Sequence, residues 1–132
     1  MKIALLFSGY IGSIQKKNSK NSIDLRYKEQ DIFLKICYNH WYKHLLSKEN
    51  VDIYVHSWDK NYEDLIIKYF KPVVIKTEIG LENSELYDTF RNKITNNGIR
   101  LTNNGRINQI YSYKKVWEIF EPYSSDYDII IH

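Results

Sequence analysis

The apolar residues of this chain switch from strand-like to helix-like spacing and back, and the order of those switches constrains the fold more than any other feature. Residues 2–7 form a continuous apolar run that ends in Ser8-Gly9-Tyr10-Ile11-Gly12, the pattern of a buried strand entering a tight turn. After a polar loop over residues 13–21, a helical stripe spans residues 25–46. In it Ile32, Phe33, Ile36, Cys37, His40, Trp41, His44 and Leu45 recur as adjacent pairs every fourth residue. Residues 51–58 are rich in β-branched and aromatic side chains and predict a second strand. Tyr62, Leu65, Ile66, Tyr69 and Phe70 mark a second helix, which Pro72 stops because it cannot continue the hydrogen-bond ladder. Residues 73–77 make a third strand. A β-α-β-α-β order is the signature of a parallel sheet with right-handed crossovers.

The later residues complete one more unit. Residues 78–106 are the least regular, with a short helix expected over 84–94 and two copies of Thr-Asn-Asn-Gly at 95–98 and 102–105. Asn-Gly favours turns with positive φ, so a loop excursion or small hairpin is expected there. Residues 107–120 return to helical order, with Ile110, Tyr113, Val116, Trp117 and Phe120 expected on the buried side. Residues 127–132 predict a fourth strand after which the chain reads as cut, although open α/β sheets place their chemistry just past such strand ends. The expectation is one α/β domain over residues 1–132: a Rossmann-like three-layer α/β/α fold with a mostly parallel sheet of about four strands in the order 3-2-1-4.

Several function classes drop out. The opening apolar run is too short for a signal peptide, and no run is long enough to span a membrane, so a soluble, cytoplasmic chain is expected. Cys37 stands alone and cannot form an internal disulfide. The net charge is +3, and its one local cluster, Lys16, Lys17 and Lys20, is too small for a nucleic-acid footprint.

Five groups of residues invite chemistry. Ser8, Gly9, Tyr10 and Gly12 lie in a glycine-containing turn that serves either as a plain turn or as a site where backbone N–H groups face an anion. The turn matches neither GxGxxG nor a Walker loop. His56, Trp58 and Asp59 lie at the carboxyl end of the second strand. There Asp59 accepts from a ribose or base and Trp58 forms an aromatic wall, or else Asp59 caps a helix and Trp58 is packed. Tyr111 and Lys115 have the YxxxK spacing of proton-donating tyrosines in short-chain dehydrogenases, without the dinucleotide turn that such chemistry needs. With Ser112 they fall opposite the Ile110/Trp117 stripe and are expected to meet solvent, a ligand or a partner. His40 and His44 have the i, i+4 spacing of a metal helix, but they share a face with Ile36 and Leu45 and are expected at the core or its edge. Asp126-Tyr127-Asp128 spells DxD but precedes its strand, so a helix-to-strand turn is expected and no metal site is assigned to the chain.

Taken in order, four segments resemble a family of glycosyltransferases found in large DNA viruses and bacteria. They are Phe7-Ser8-Gly9, then Asp52-Ile53-Tyr54-Val55-His56-Ser57-Trp58-Asp59 against "DIFIHTWD", Tyr111-Ser112-Tyr113-Lys114-Lys115 against "YSxxK", and Tyr127-Asp128-Ile129-Ile130-Ile131 against the start of "YDxVIRxRxD". The resemblance implies the N-terminal half of a glycosyltransferase A-type fold, whose first strands and loops hold a nucleoside diphosphate sugar. It also implies hexosyl transfer assisted by Mg²⁺ or Mn²⁺ on acids after the fourth strand, and a location in the host cytoplasm if the chain is viral. Two departures matter. Gly12 stands where the family has the basic residue of "SGQxR", and His132 stands where "RxRxD" would begin. The chain alone is therefore expected to hold nucleotide weakly and to transfer no sugar, its missing half or a protein partner being required. The competing expectations are a non-catalytic α/β module that binds a nucleotide or partner, and a degenerate gene fragment.

Overall fold

The computed structural model describes residues 1–9, 23–79, 85, 88–89, 92 and 104–132. Strand β1 (Lys2–Gly9) leads to helix α1 (Ile23–Trp41), which ends in a π-helical turn at Tyr42–Leu46. Strand β2 (Asn50–Ser57), a 3₁₀ turn (Lys60–Tyr62), helix α2 (Glu63–Phe70) and strand β3 (Val74–Thr77) follow. Helix α3 (Asn104–Phe120), a second 3₁₀ turn (Glu121–Asp126) and strand β4 (Ile129–Ile131) complete the described elements. The sheet is parallel throughout in the order β3-β2-β1-β4, as expected.

Strand alternation divides the core into two layers. Successive side chains of a strand point to opposite faces. The odd-numbered residues Leu5, Ile53 and Val55 pack with Leu34 of α1 and with Leu65, Ile66 and Phe70 of α2. Even-numbered Ala4, Leu6 and Tyr54 pack with Val116 and Phe120 of α3. Each large aliphatic side chain buried this way contributes about 1.5–3 kcal/mol. Alternation also fixes the polar residues near the strand ends: Ser8 and His56, which face each other in the β1–β2 register, share the α3 side.

Both long helices bury a face that only partly overlaps the one the sequence predicts: Cys37, Trp41 and Leu45, and Val116 and Phe120, pack inward as expected. In α1, Gln30 and Leu34 are buried and Cys37, Tyr38 and Trp41 pack inward, whereas Ile32 and Ile36 are more than 60% exposed (61% and 62%). Apolar residues lie almost all round this helix, so its sequence asymmetry is too weak to select a face. In α3 the inward line is Asn108, Tyr111, Ser112, Val116 and Phe120, while Ile110, Tyr113 and Trp117 stay exposed. Of the short helix expected over 84–94, residues 85, 88, 89 and 92 are described and helical, and the rest lies outside the described residues. The first Thr-Asn-Asn-Gly copy also lies outside them. The Asn104-Gly105 pair of the second copy sits in the first turn of α3 rather than in a loop.

A polar clamp fixes β4 at the amino edge of the sheet. The Tyr127 hydroxyl donates to Asp52 Oδ2 at 2.7 Å and lies 2.8 Å from the Tyr54 hydroxyl. Lys2 Nζ sits 3.3 Å from the same carboxylate and 4.4 Å over the Tyr127 ring. Asp128 accepts from the Lys2 N–H at 2.7 Å and donates its own N–H to the Lys2 carbonyl at 2.9 Å. Burial, reinforced by the bonds to Tyr54 and Asp52, holds the Tyr127 phenol well above its ordinary pKa. The DxD segment is thus a helix-to-strand turn whose second Asp ties β4 to β1. Tyr127→Phe should lower unfolding stability by about 1–2 kcal/mol, because Tyr54 and Asp52 each lose a partner; an equal loss in exposed Asp126→Asn, read by urea denaturation, would contradict this.

Helix α2 ends ahead of Pro72 through Lys71, whose φ of 44° is left-handed and whose N–H caps the Ile67 carbonyl at 3.1 Å. A residue with a Cβ pays roughly 1–2 kcal/mol there, which glycine avoids. Lys71→Gly should therefore raise the urea midpoint, by about 1 kcal/mol in stability.

Candidate functional site

The chain runs from β1 outward to β2 and β3, then crosses back to β4 on the other side of β1. The two directions part between β1 and β4, and a crevice at such a point, outside the carboxyl ends of the strands, is where open α/β sheets bind ligands. Ser8 and Gly9 end β1 on one side of it and His132 follows β4 on the other, with Ser8 Oγ 3.1 Å from His132 Nε2. The His132 ring also packs on Tyr113 of α3 at 4.5 Å. Gly9 adopts φ 95°, a conformation glycine takes without the strain a Cβ would bring, so the expected turn begins there.

Beneath these strand ends lies a buried polar junction. Gly9 donates its N–H to Ser112 Oγ at 2.6 Å, and the same oxygen lies 2.6 Å from His56 Nδ1. Glu78 Oε1, just beyond β3, is 3.7 Å from His56 Nε2. That contact is too long for a hydrogen bond, so the Ser112 oxygen accepts from Gly9 and shares a hydrogen bond with Nδ1 whose direction is set by the imidazole tautomer. Ser112 and His56 have no exposed surface. Burial pushes the His56 pKa down to about 4; Lys76 and Lys115 add to the shift and Glu78 opposes it. Ser112, His56 and Glu78 are the residue types of a nucleophilic triad, but no substrate atom can reach the enclosed Oγ.

Eight of the ten residues singled out by sequence are described, and they divide between partly exposed and buried positions at the carboxyl edge of the sheet. Ser8 and Gly9 keep some exposed surface at the end of β1, and Lys115 keeps some on α3 toward Glu78. His56, Trp58, Asp59, Tyr111 and Ser112 are buried. Tyr10 and Gly12 lie outside the described residues, as do Lys16, Lys17 and Lys20. Trp58 is packed edge-on to His56 at 4.9 Å and against Tyr111 at 5.5 Å, and its Nε1 is enclosed without a hydrogen-bond partner. Asp59 opens the 3₁₀ turn before α2 without capping it through its side chain; its N–H bonds Ser57 Oγ at 3.1 Å and its Oδ2 accepts from that hydroxyl at 3.2 Å. Tyr111 and Ser112 face inward, contrary to the sequence expectation. Lys115 Nζ lies 5.3 Å over the Tyr111 ring and 2.8 Å from Glu118. That placement stacks the ammonium on the ring face, a geometry unlike a dehydrogenase pair.

Sequence reasoning missed Glu78 and Lys76, which pair at 2.8 Å at the end of β3. Their position past the third strand is the same signal that marked Asp59 past the second. His40 and His44 are exposed rather than part of the core, and Cys37 is half-buried with its thiol pKa raised by burial. A groove of about 540 Å³ between α1 and α2 is bridged by two pairs, Lys68 with Asp31 at 2.9 Å and Tyr27 with Asp64, which tie the two helices together. Among the described residues no group of three or more His, Cys, Asp or Glu side chains could hold a metal ion. Asp59 is engaged by Ser57 and Glu78 by Lys76. Among the described residues no helix is long and apolar enough to cross a membrane. No family model, curated protein or solved structure matches this chain.

The buried histidine sets a pH window. Its folded pKa is depressed from 6.5 to about 4, so between those values the unfolded chain binds a proton that the folded chain refuses. Stability should be full above about pH 6.5 and fall by on the order of 3 kcal/mol toward pH 4. Asp31 and Glu118, held low by hydrogen bonds from Lys68 and Lys115, act at the acid end of this window and below. In urea titrations His56→Asn should flatten the window; an unchanged slope would assign it to other groups. Ser112→Ala leaves the Gly9 N–H and His56 Nδ1 unpaired and should cost about 2–3 kcal/mol.

Proposed function

We propose that the carboxyl edge of this sheet is a floor for a nucleoside diphosphate sugar, the donor-binding half of a glycosyltransferase of A-type fold. The observation that carries the reading is the switch point between β1 and β4, where Ser8 and Gly9 meet His132 at the carboxyl ends of the strands, above the Gly9–Ser112–His56 junction. All three elements of that junction come from segments that resemble the family. A parallel sheet also turns helix starts toward this edge, and the N-terminal ends of helices favour phosphate. Lys115 and Lys76 add two ammonium groups near Glu78. The enclosed Trp58 N–H is a donor of the kind that a water or ligand oxygen normally satisfies.

The reaction this reading serves is displacement of the nucleoside diphosphate from the sugar's anomeric carbon by an acceptor hydroxyl. His56 and Ser112 act in it as positioning residues, holding the β1 turn and α3 in register. Neither a base nor a metal-binding acid is assigned among the described residues.

Calorimetry with uridine or guanosine diphosphate, with and without Mn²⁺, tests the proposal. Saturable heat is expected, with a dissociation constant of about 1 mM or tighter, equivalent to about −4 kcal/mol. Lys115→Ala should weaken it while leaving the circular dichroism spectrum unchanged. Absence of heat with both nucleotides would reject the donor-floor reading.

A second reading, a non-catalytic module that binds a partner, is favoured by one feature. Ile129 and Ile130 on the edge strand β4 are 40% and 41% exposed, and Ile110, Tyr113 and Trp117 of α3 are exposed too. Open apolar strand edges are pairing surfaces unless they are covered. Under this reading neither nucleotide gives heat.

A further inference from the structure

We propose that His40 and His44 form a surface chelate for a divalent transition metal, at the end of the sheet opposite the nucleotide crevice. The two imidazoles are exposed, and their ring centroids are 4.6 Å apart with the planes inclined at 50°. That separation lets one ring nitrogen of each reach a shared ion.

The backbone explains why the rings meet. His40 is in the last turn of α1, and His44 is in the π-helical turn Tyr42–Leu46, where Ser47 donates its N–H to the Tyr42 carbonyl at 3.0 Å. The wider i→i+5 turn brings a residue four positions on closer to eclipsing its predecessor, so His44 swings beneath His40. Neighbouring side chains anchor both positions. Trp41 packs edge-on to Phe7 at 5.5 Å, and Leu45 packs against the core, which holds the peptide on either side of the pair. The chelate is therefore largely preorganised, and little ordering is needed on binding.

Two neutral imidazoles select borderline ions such as Cu²⁺, Ni²⁺ and Zn²⁺ over Mg²⁺, Ca²⁺ and Mn²⁺, which prefer oxygen ligands. Two protein ligands leave the remaining coordination positions to water or to a donor from another molecule. Since α1 runs from the carboxyl edge back to the amino edge, where β2 begins at Asn50, this site is separate from the crevice. Its existence does not depend on the nucleotide reading.

The test is calorimetric titration of the full chain with CuCl₂, NiCl₂, ZnCl₂ and MnCl₂. One equivalent of Cu²⁺, Ni²⁺ or Zn²⁺ should bind, Cu²⁺ most tightly, with no saturable heat from Mn²⁺. His40→Ala and His44→Ala should each weaken binding at least about tenfold, since even losing an outer-shell partner of a metal site costs 10- to 100-fold. Cys37→Ser should bind as the wild type does. Cu²⁺ added to ¹⁵N-labelled wild-type chain should broaden the amide signals around residues 40–44, a readout that needs no variant. Binding that survives both histidine variants, that is lost in Cys37→Ser, or that broadens signals elsewhere overturns the proposal.

Discussion

Strand β1 is the constraint on which the rest of the structure depends. It is hydrogen-bonded on both sides, to β2 through eight register pairs from Lys2↔Asn50 to Gly9↔Ser57 and to β4 through Ile3↔Ile129, Ala4↔Ile130 and Leu5↔Ile131. Its alternate side chains feed both core layers, Leu5 toward α1 and α2, Ala4 and Leu6 toward α3. A one-residue slip in this strand would exchange the two layers and turn Ser8 away from α3. Core and crevice are therefore set by the same register.

At the carboxyl end that register delivers polar groups to the α3 face, and one hydroxyl connects them. Ser112 joins the β1 turn to His56 of β2 from a position where a helix facing a sheet would ordinarily bury an apolar side chain. The inward line of α3 is accordingly polar over its first half, with Asn108, Tyr111 and Ser112, and apolar over its second, with Val116 and Phe120. The polar half lies under the strand ends where a ligand would sit. At the amino edge the Tyr127–Asp52–Lys2 clamp does the complementary work, anchoring a β4 of only three residues that has little apolar contact to hold it.

Much of the architecture was legible because strands and helices write different periods. The apolar run before Ser8-Gly9, the β-branched run before Trp58-Asp59 and the stop at Pro72 placed β1, β2 and α2 within a residue or two, and the alternation of types implied the strand order. The candidate site was legible in position for a related reason: residues just past the strands of a parallel sheet share one edge, which brought Ser8, Gly9, His56, Trp58 and Asp59 together on paper. The same reasoning applied to β3 would have included Lys76 and Glu78. Burial was not legible. Trp58, for which a ligand wall and a packed side chain were equally open, packs against Tyr111, which was expected to face solvent, a ligand or a partner, and His40 and His44, expected at the core or its edge, are exposed with their rings together.

The sequence by itself determined the order of elements, the parallel sheet and the edge at which chemistry would gather, because each follows from local spacing and from connection rules that depend on chain order. Only the tertiary structure decided which face of each helix turned inward. In α1 and α3 apolar residues flank more than one face, so the choice between Ile32 and Leu34, or between Trp117 and Ser112, rested on what the sheet offered opposite them. At the strand ends the sheet offered a backbone N–H and an imidazole, which the Ser112 hydroxyl meets, while Trp117 of the same helix stays exposed.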